Sequence, residues 1–227
     1  MSLVPILSQS FEPQSESCES PIVFVVDGVA SERHSLELLI SCNGWHSELF
    51  SSAEEFLSHP SAPVPNCLIL EVSQGHNGLE LQKKLAVERP EMPMILITPH
   101  CDVRMAVEAI KAGAIEFLTK PFVHDLLLTA IKQSLERSRL ALARQAEMRA
   151  LKECYATLTH RERQVMALVA SGRLNKEVGG ELGISEITVK AHRGKMMQKM
   201  KADSLAQLVK MAARLRLPAQ KGHGLYD

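Results

Sequence analysis

The sequence predicts two domains: an α/β domain with a doubly wound, five-stranded parallel sheet, followed by an all-α domain of four helices. The chain has 227 residues, which exceeds the usual size of a single domain. Five short apolar runs alternate with helical patterns in its first part, and this alternation is typical of parallel sheets. Only helical patterns follow them.

Most of these runs are rich in Val, Ile and Leu, as expected for strands covered by helices on both faces, whereas the evidence for residues 46–50 is weaker. Ligands of such sheets bind at the carboxyl ends of the strands, so the candidate site residues are sought there. The predicted strands are residues 22–26, 46–50, 67–70, 94–97 and 115–118. The predicted helices are residues 30–42, 53–57, 79–88 and 103–112, and one that begins at Val123.

Composition places the ends of the two domains. Residues 1–20 include a stretch rich in Ser and Glu, which predicts a disordered leader. The α/β domain is expected over residues 21–137, a helical linker over 138–153 and the all-α domain over 154–217. A flexible tail is expected over residues 218–227.

The two parts of the chain carry opposite charge, although the formal net charge of the whole is zero. Residues 1–134 hold eight Lys or Arg against 17 Asp or Glu, a net charge of −9. Residues 135–227 hold 18 against nine, a net charge of +9. A basic domain tied to an acidic one indicates that the basic domain binds a polyanion, with a chance surface bias as the alternative.

Cysteine spacing and hydropathy exclude several other classes. The cysteines form no CxxC pair, so neither a zinc knuckle nor a redox motif is indicated, and no histidines have metal-ligand spacing. No apolar run approaches the ~20 residues that span a bilayer, which predicts a cytoplasmic protein without membrane contact. The five cysteines are Cys18, Cys42, Cys67, Cys101 and Cys154.

The basic part contains the signals of a helix-turn-helix. Thr159 and Glu162 have the spacing of a capping box at the start of a helix. Further along, Gly183 is suited to a positive φ that ends a second helix, and Ser185 is suited to cap a third. Two short helices joined by such a turn form a helix-turn-helix, centred here on residues 174–200.

The third helix of this motif has an apolar side and a basic side. Val189, Met196 and Met200 recur at helical spacing and are expected to pack inward. The opposite side then presents Lys190, Ala191, Gly194, Lys195 and Gln198, a surface suited to the major groove. A fourth helix, over residues 204–215, is expected to brace the domain or to form a dimer face.

These residues resemble the LuxR-type helix-turn-helix of the NarL and FixJ regulators over roughly residues 154–217. The resemblance is carried by Glu162 and by the runs 175–177, 182–185 and 188–192. It implies binding to double-stranded promoter DNA through Thr188, Lys190, Ala191, His192, Arg193, Gly194 and Lys195.

Three glycines depart from the family pattern or weaken its helices. Gly179 and Gly180 stand where a helix with a small residue is expected, and Gly194 lies in the third helix. Each Gly costs a helix interior ~1 kcal/mol relative to Ala. Either the domain is marginally stable until DNA binds, or the missing side chains permit close backbone approach.

The first part resembles the receiver domain of two-component response regulators over about residues 21–137. The runs 25–27, 68–71, 78–81, 97–98 and 112–122 carry this resemblance. It implies a pocket in which an Asp accepts a phosphoryl group, two acids hold magnesium, and a Thr, an aromatic residue and a Lys read the phosphorylated state. Asp27 matches one acid, and the reading residues match Thr98, Phe117 and Lys120.

Two positions of this pocket depart from the family. Gly28 replaces the second acid, and Glu71 stands at the position of the phosphate-accepting Asp. A longer carboxylate displaces the reacting oxygen by roughly 1.5 Å, so phosphorylation at this position is expected to be inefficient. Asp27 and Glu71 remain as a weak magnesium site at best, so the cofactor prediction is none or weakly bound magnesium.

Three interpretations of Glu71 stay open on the sequence. Its carboxylate imitates an acyl phosphate by reaching Lys120 or Thr98, it forms a structural ion pair with Lys120 in a receiver kept for dimerisation or partner binding, or it is phosphorylated. A receiver has no other chemistry, so no enzyme is predicted.

The resemblance as a whole implies a DNA-binding transcription regulator of a two-component system. The partners that it implies are promoter DNA, a second copy in a homodimer, a cognate sensor histidine kinase and RNA polymerase. The alternative is an interaction protein whose altered receiver sequesters a kinase or another regulator. Relatives of the FixJ kind include rhizobial regulators of nitrogen fixation and nodulation.

Overall fold

A computed structural model describes residues 20–72, 77–100 and 103–216 of the chain. Residues 1–19, 73–76, 101–102 and 217–227 lie outside the described residues, so the predicted tail and all but the last residue of the predicted leader do too. The chain divides into two compact units, Met1–Leu142 and Ala143–Asp227, and the division falls within one long helix.

The first unit is the predicted five-stranded parallel sheet. Its strand order is β2-β1-β3-β4-β5, and every neighbouring pair is parallel. The strands are β1 (Ile22–Val26), β2 (His46–Phe50), β3 (Asn66–Glu71), β4 (Met94–Thr98) and β5 (Glu116–Thr119). The helices are α1 (Ala30–Cys42), α2 (Ala53–Ser58), α3 (Asn77–Glu88), α4 (Val103–Lys111) and α5 (His124–Ala156).

Apolar side chains cover both faces of this sheet. Successive strand residues point to opposite faces, so Val23 and Val25 join one core layer while Phe24 and Val26 join the other. Residues of α1 and α5 complete the first layer, and residues of α2, α3 and α4 complete the second. The doubly wound arrangement is therefore confirmed.

The second unit is built from the predicted four helices. They are α6 (His160–Ala170), α7 (Asn175–Leu182), α8 (Glu186–Lys199) and α9 (Leu205–Arg214). Their shared core includes Val165, Met166, Val178, Val189 and Met196, all fully buried. The inward side predicted for the third helix of the motif is confirmed.

Helix α5 contributes residues to the cores of both units, and only its middle part acts as a linker. The Ser138 hydroxyl is buried and accepts a hydrogen bond from the backbone N–H of Asn66 at 3.1 Å. Near the other end, Leu151 belongs to the core of the second unit. Only the middle of the predicted linker, residues 143–147, is continuously exposed.

Candidate functional site

Four of the predicted site residues lie at one edge of the sheet. The strands are parallel, so their carboxyl ends share that edge, and side chains distant in sequence are brought together there. Asp27 and Thr98 are buried, whereas Glu71 and Lys120 are half-buried. These residues follow or end strands β1, β4, β3 and β5 respectively.

Lys120 is held by two carboxylates. Its Nζ donates hydrogen bonds to Asp27 Oδ2, at 3.0 Å, and to Glu32 Oε2, on the first turn of α1. Burial alone would lower the pKa of Lys120, but the hydrogen bonds to Glu32 and Asp27 outweigh it and raise the pKa above its usual range. We call this arrangement of Lys120, Asp27 and Glu32 the lysine clamp.

Asp27 is fully engaged by its neighbours. Its Oδ1 accepts the backbone N–H of Val29 at 2.8 Å, and its own backbone carbonyl accepts a hydrogen bond from the Arg33 guanidinium. With Lys120 on Oδ2, both carboxylate oxygens have donors. The carboxylate is therefore held in place through both of its oxygens.

Glu71 does not take part in the clamp. Its carboxylate makes no hydrogen bond or ion pair with any residue that the structure describes, so the predicted contact with Lys120 or Thr98 is absent. The Lys120 ammonium group is bound by Asp27 and Glu32 instead. Burial and the nearby Asp27 carboxylate raise the pKa of Glu71, and Lys120 only partly opposes them.

The donor set at this edge does not fit magnesium. Magnesium takes about six oxygen ligands in an octahedron, usually including one or two free carboxylates. Here both oxygens of Asp27 accept protein hydrogen bonds, and Gly28 supplies no side-chain oxygen. No group of three metal-ligating side chains lies together among the described residues. A Cβ at position 28 would meet no atom within 4 Å.

The two remaining predicted receiver residues, Thr98 and Phe117, are buried and partly buried respectively. Thr98 Oγ1 accepts the backbone N–H of His100 at 3.3 Å. Phe117 is partly buried against the core layer formed with α4.

The helix-turn-helix is built by local hydrogen bonds that the sequence predicts. Thr159 Oγ1 accepts the backbone N–H of Glu162, and the Glu162 carboxylate accepts that of Thr159 at 2.8 Å, which completes a capping box. Gly183 ends α7 with a φ of 66°, in the left-handed region. Ser185 Oγ then accepts the backbone N–H of Thr188 and caps α8. These three predictions are confirmed.

Gly179 and Gly180 have different surroundings. A Cβ on Gly179 would lie 2.8 Å from the backbone oxygen of Ile184, so its absence lets α7 approach the turn closely. A Cβ on Gly180 would meet nothing within 4 Å. Close approach therefore explains Gly179, and nothing in the structure explains Gly180.

The outer side of α8 carries the predicted DNA-binding residues. Lys190, Ala191, Gly194 and Lys195 are exposed, while His192 and Arg193 are half-buried. The exposed Thr188 hydroxyl lies 2.8 Å from that of Ser185.

The cations on this side differ in their pairing. Lys190 lies 3.1 Å from Glu186, and the Arg193 guanidinium donates to the Asn175 side chain at 3.1 Å. Lys195 has no ion-pair partner among the residues that the structure describes. Lys195 is therefore the cation most available to an external anion.

Two residues, Glu32 and Ile187, and one contact of Glu162 are not predicted from the sequence. Glu32 completes the lysine clamp, but its role depends on where α1 places it and no local motif marks it. Glu162 is 2% exposed, and its carboxylate also accepts a hydrogen bond from Lys199 Nζ at 2.7 Å. Ile187 is 80% exposed on α8. Its position two residues after the predicted cap Ser185 could have marked it as a residue of the first helical turn.

Two family models match the chain, one for each unit. The response regulator receiver domain matches residues 23–132, and the bacterial regulatory proteins of the luxR family match residues 156–212. The chain belongs to the response regulators that join a receiver domain to a LuxR-type helix-turn-helix domain, which confirms the resemblance. A receiver implies a cognate kinase, and the second domain implies DNA binding.

Similar proteins have the same overall extent. Nodulation protein W of Bradyrhizobium diazoefficiens is 43% identical over 90% of this chain and 91% of its own length. The response regulator protein TmoT of Ectopseudomonas mendocina is 40% identical, covering 87% and 90%. The transcriptional regulatory protein FixJ of Rhizobium meliloti is 38% identical, covering 84% and 94%.

Among solved structures, the response regulator StyR is 41% identical with a TM-score of 0.76, covering 86% of this chain and 99% of its own. By their names, TmoT and StyR are response regulators and FixJ is a transcriptional regulatory protein, and none of these names describes an enzyme. Within the described residues, no helix combines the length and the apolar character needed to cross a bilayer.

Proposed function

We propose that this response regulator controls transcription by binding promoter DNA through α8, and that its receiver works without phosphoryl transfer. The observation that carries the second part is the lysine clamp, which satisfies Lys120 with Asp27 and Glu32 while Glu71 stands apart.

Phosphoryl transfer depends on positioning and on neutralising the charge of the transferred group. A receiver whose lysine is already paired with two carboxylates, and whose acids do not fit magnesium, supplies neither condition. We propose that magnesium binds this pocket weakly or not at all. Control then passes to dimerisation, protein abundance or a partner rather than to phosphate on residue 71.

The protein is proposed to act as a homodimer on inverted half-sites about one helical turn apart, the geometry that two-fold symmetry gives a helix-turn-helix. Val103, Val107 and Ile110 support this, because they are exposed on one side of α4. At a promoter, the bound dimer would act on RNA polymerase. Sedimentation analysis of the full chain should show a dimer that Val107→Glu with Ile110→Glu weakens, and an unchanged dimer would contradict this surface.

DNA binding is tested through the two exposed lysines of α8. Lys195→Ala should lower affinity for a selected promoter fragment and reduce the slope of log affinity against log salt by about one. Adding Lys190→Ala should bring the total reduction to about two, with a smaller loss of affinity because Lys190 is already paired with Glu186. Unchanged affinity and slope would contradict the assignment of α8.

Receiver chemistry is tested by incubation with acetyl phosphate and magnesium, followed by intact-mass measurement. The wild-type chain should gain no phosphoryl group. The triple variant Gly28→Asp, Glu32→Ala and Glu71→Asp restores both family carboxylates and removes one of the two clamp partners of Lys120, and a Cβ at position 28 would meet no atom within 4 Å. It should gain a phosphoryl group at position 71. A wild-type adduct mapped to Glu71 would contradict the proposal.

If the wild-type chain binds no promoter DNA but captures a sensor kinase, the alternative of a kinase-sequestering protein replaces the first part of the proposal. That outcome is distinguished by measuring kinase binding with the Lys195→Ala variant, which should leave it unchanged.

A further inference from the structure

Ile187 exposes a large apolar side chain where the helix-turn-helix meets DNA. It is 80% exposed in the first turn of α8, two residues after Ser185, which caps this helix. The N-terminal residues of a recognition helix are those that contact base edges in the major groove. Ile is also β-branched, so its side chain is stiff and loses little freedom on making a contact.

A narrow hydrocarbon strip runs through Ile187, beside the exposed polar side chains of Glu186, Thr188 and Lys190. Ala191 and Gly194 follow at offsets of four and seven residues, which puts all three on one side of α8, and both are exposed. The nearest cation on this helix, Lys190, is paired with Glu186. A strip of this kind offers no hydrogen-bond donor or acceptor to a base.

One group on the major-groove edge suits such a strip. Adenine, guanine and cytosine present hydrogen-bonding groups there, whereas thymine also presents its C5 methyl group. Contact between this methyl and an exposed Ile removes apolar surface of both from water, which is favourable. The small Ala191 and Gly194 leave room for the helix to approach closely enough for that contact.

We propose that Ile187 is a specificity-determining residue that reads the C5 methyl group of one thymine in each half-site. This inference rests on the proposed binding of α8 to DNA and adds which base feature is recognised. It predicts a binding preference that depends on a single methyl group rather than on a hydrogen bond.

The test uses the full-length chain and a duplex selected by it from a random library. Each thymine of the selected duplex is replaced in turn by deoxyuridine, which removes only the methyl group. One thymine in each half-site should lose about fourfold in affinity on replacement, the value of one buried methyl-sized group. The Ile187→Ala variant should bind the thymine and deoxyuridine duplexes equally well.

Two control variants separate this effect from a general one. Ile187→Val keeps a branched side chain and should retain most of the discrimination. Val87→Ala removes a similarly exposed side chain, 81% exposed on α3, and should discriminate as the wild type does. Thermal unfolding of each variant, expected to be unchanged because both positions are exposed, confirms that the fold is retained.

The possible outcomes separate the methyl contact of Ile187 from the proposed binding of α8 to DNA. If the wild-type chain selects a sequence but deoxyuridine has no effect, or has the same effect in Ile187→Ala, the methyl contact is overturned and DNA binding stands. If the chain selects no sequence, both are overturned. Binding of RNA polymerase that Ile187→Ala weakens without changing the deoxyuridine response would assign Ile187 to a protein contact instead.

Discussion

The sheet-edge pocket and the helix-turn-helix differ in how closely function is tied to folding. In the second unit, Ser185 and Gly183 form the turn that also orients α8, so the residues that place the DNA-binding surface are the ones that build the domain. In the pocket, Gly28 follows β1 and Glu71 ends β3. Neither residue belongs to the core layers that these strands form. Pocket chemistry can therefore change while the fold persists.

The pKa values of two glutamates, one in each region, are shifted in opposite directions. Hydrogen bonds from Lys199 and from the backbone of Thr159 lower the pKa of Glu162 in the second unit. Burial and the Asp27 carboxylate raise the pKa of Glu71 in the pocket. The surroundings therefore stabilise the charged form of Glu162 and destabilise the charged form of Glu71.

The largest expected effect comes from removing the carboxylate of Glu162. Glu162→Ala deletes the capping box of α6 and leaves Lys199 Nζ only its hydrogen bond to the Thr157 carbonyl, which should destabilise the second unit by about 2–3 kcal/mol. Hydrogen–deuterium exchange of α6 and α8 should accelerate accordingly. Glu177→Ala is the matched control, because this exposed glutamate accepts only the backbone N–H of Leu174 and should cost about 1 kcal/mol. Equal losses would show that the Lys199 contact contributes nothing.

Two glycines of the second unit should separate stability from binding. Gly180→Ala and Gly194→Ala each place a methyl group in open space within a helix, and each should stabilise the domain by up to ~1 kcal/mol. Only Gly194→Ala should weaken DNA binding, because only its methyl lies on the outer side of α8. Calorimetry and binding titrations measure the two effects. Equal DNA affinity in both variants would argue against close approach at Gly194.

The smallest expected effect is the pH dependence of the receiver. A carboxyl with a raised folded pKa favours the protonated form, so Glu71 should add stability as the pH falls toward the usual Glu value of about 4.3 and lose it above its folded pKa. Glu162, whose folded pKa is lowered, behaves in the opposite way and loses its contribution at low pH.

Trp45 is the only Trp of the chain and lies in the receiver, so its fluorescence follows urea unfolding of that unit. Glu71→Gln should raise the free energy of unfolding at pH 7 by less than ~1 kcal/mol, since Glu71 is only half-buried, and should flatten its pH dependence. A steeper dependence would contradict the raised pKa.

Periodicity and local chemistry predict most of the fold. Apolar runs place the strands to within one residue, because buried parallel strands must be apolar on both faces. Caps such as Thr159 and Ser185 are readable because each bonds a backbone group three residues away. The lysine clamp is not readable in this way: Glu32 and Lys120 are 88 residues apart, and only the packing of α1 on the sheet brings them together.

We propose that the second unit binds DNA without phosphorylation of the receiver. The most direct measurement is the affinity of the full chain for its selected duplex, with and without acetyl phosphate and magnesium. The account predicts the same affinity in both conditions for the wild type. A tightening of about tenfold or more on phosphodonor treatment, accompanied by a phosphoryl adduct on Glu71, would contradict it.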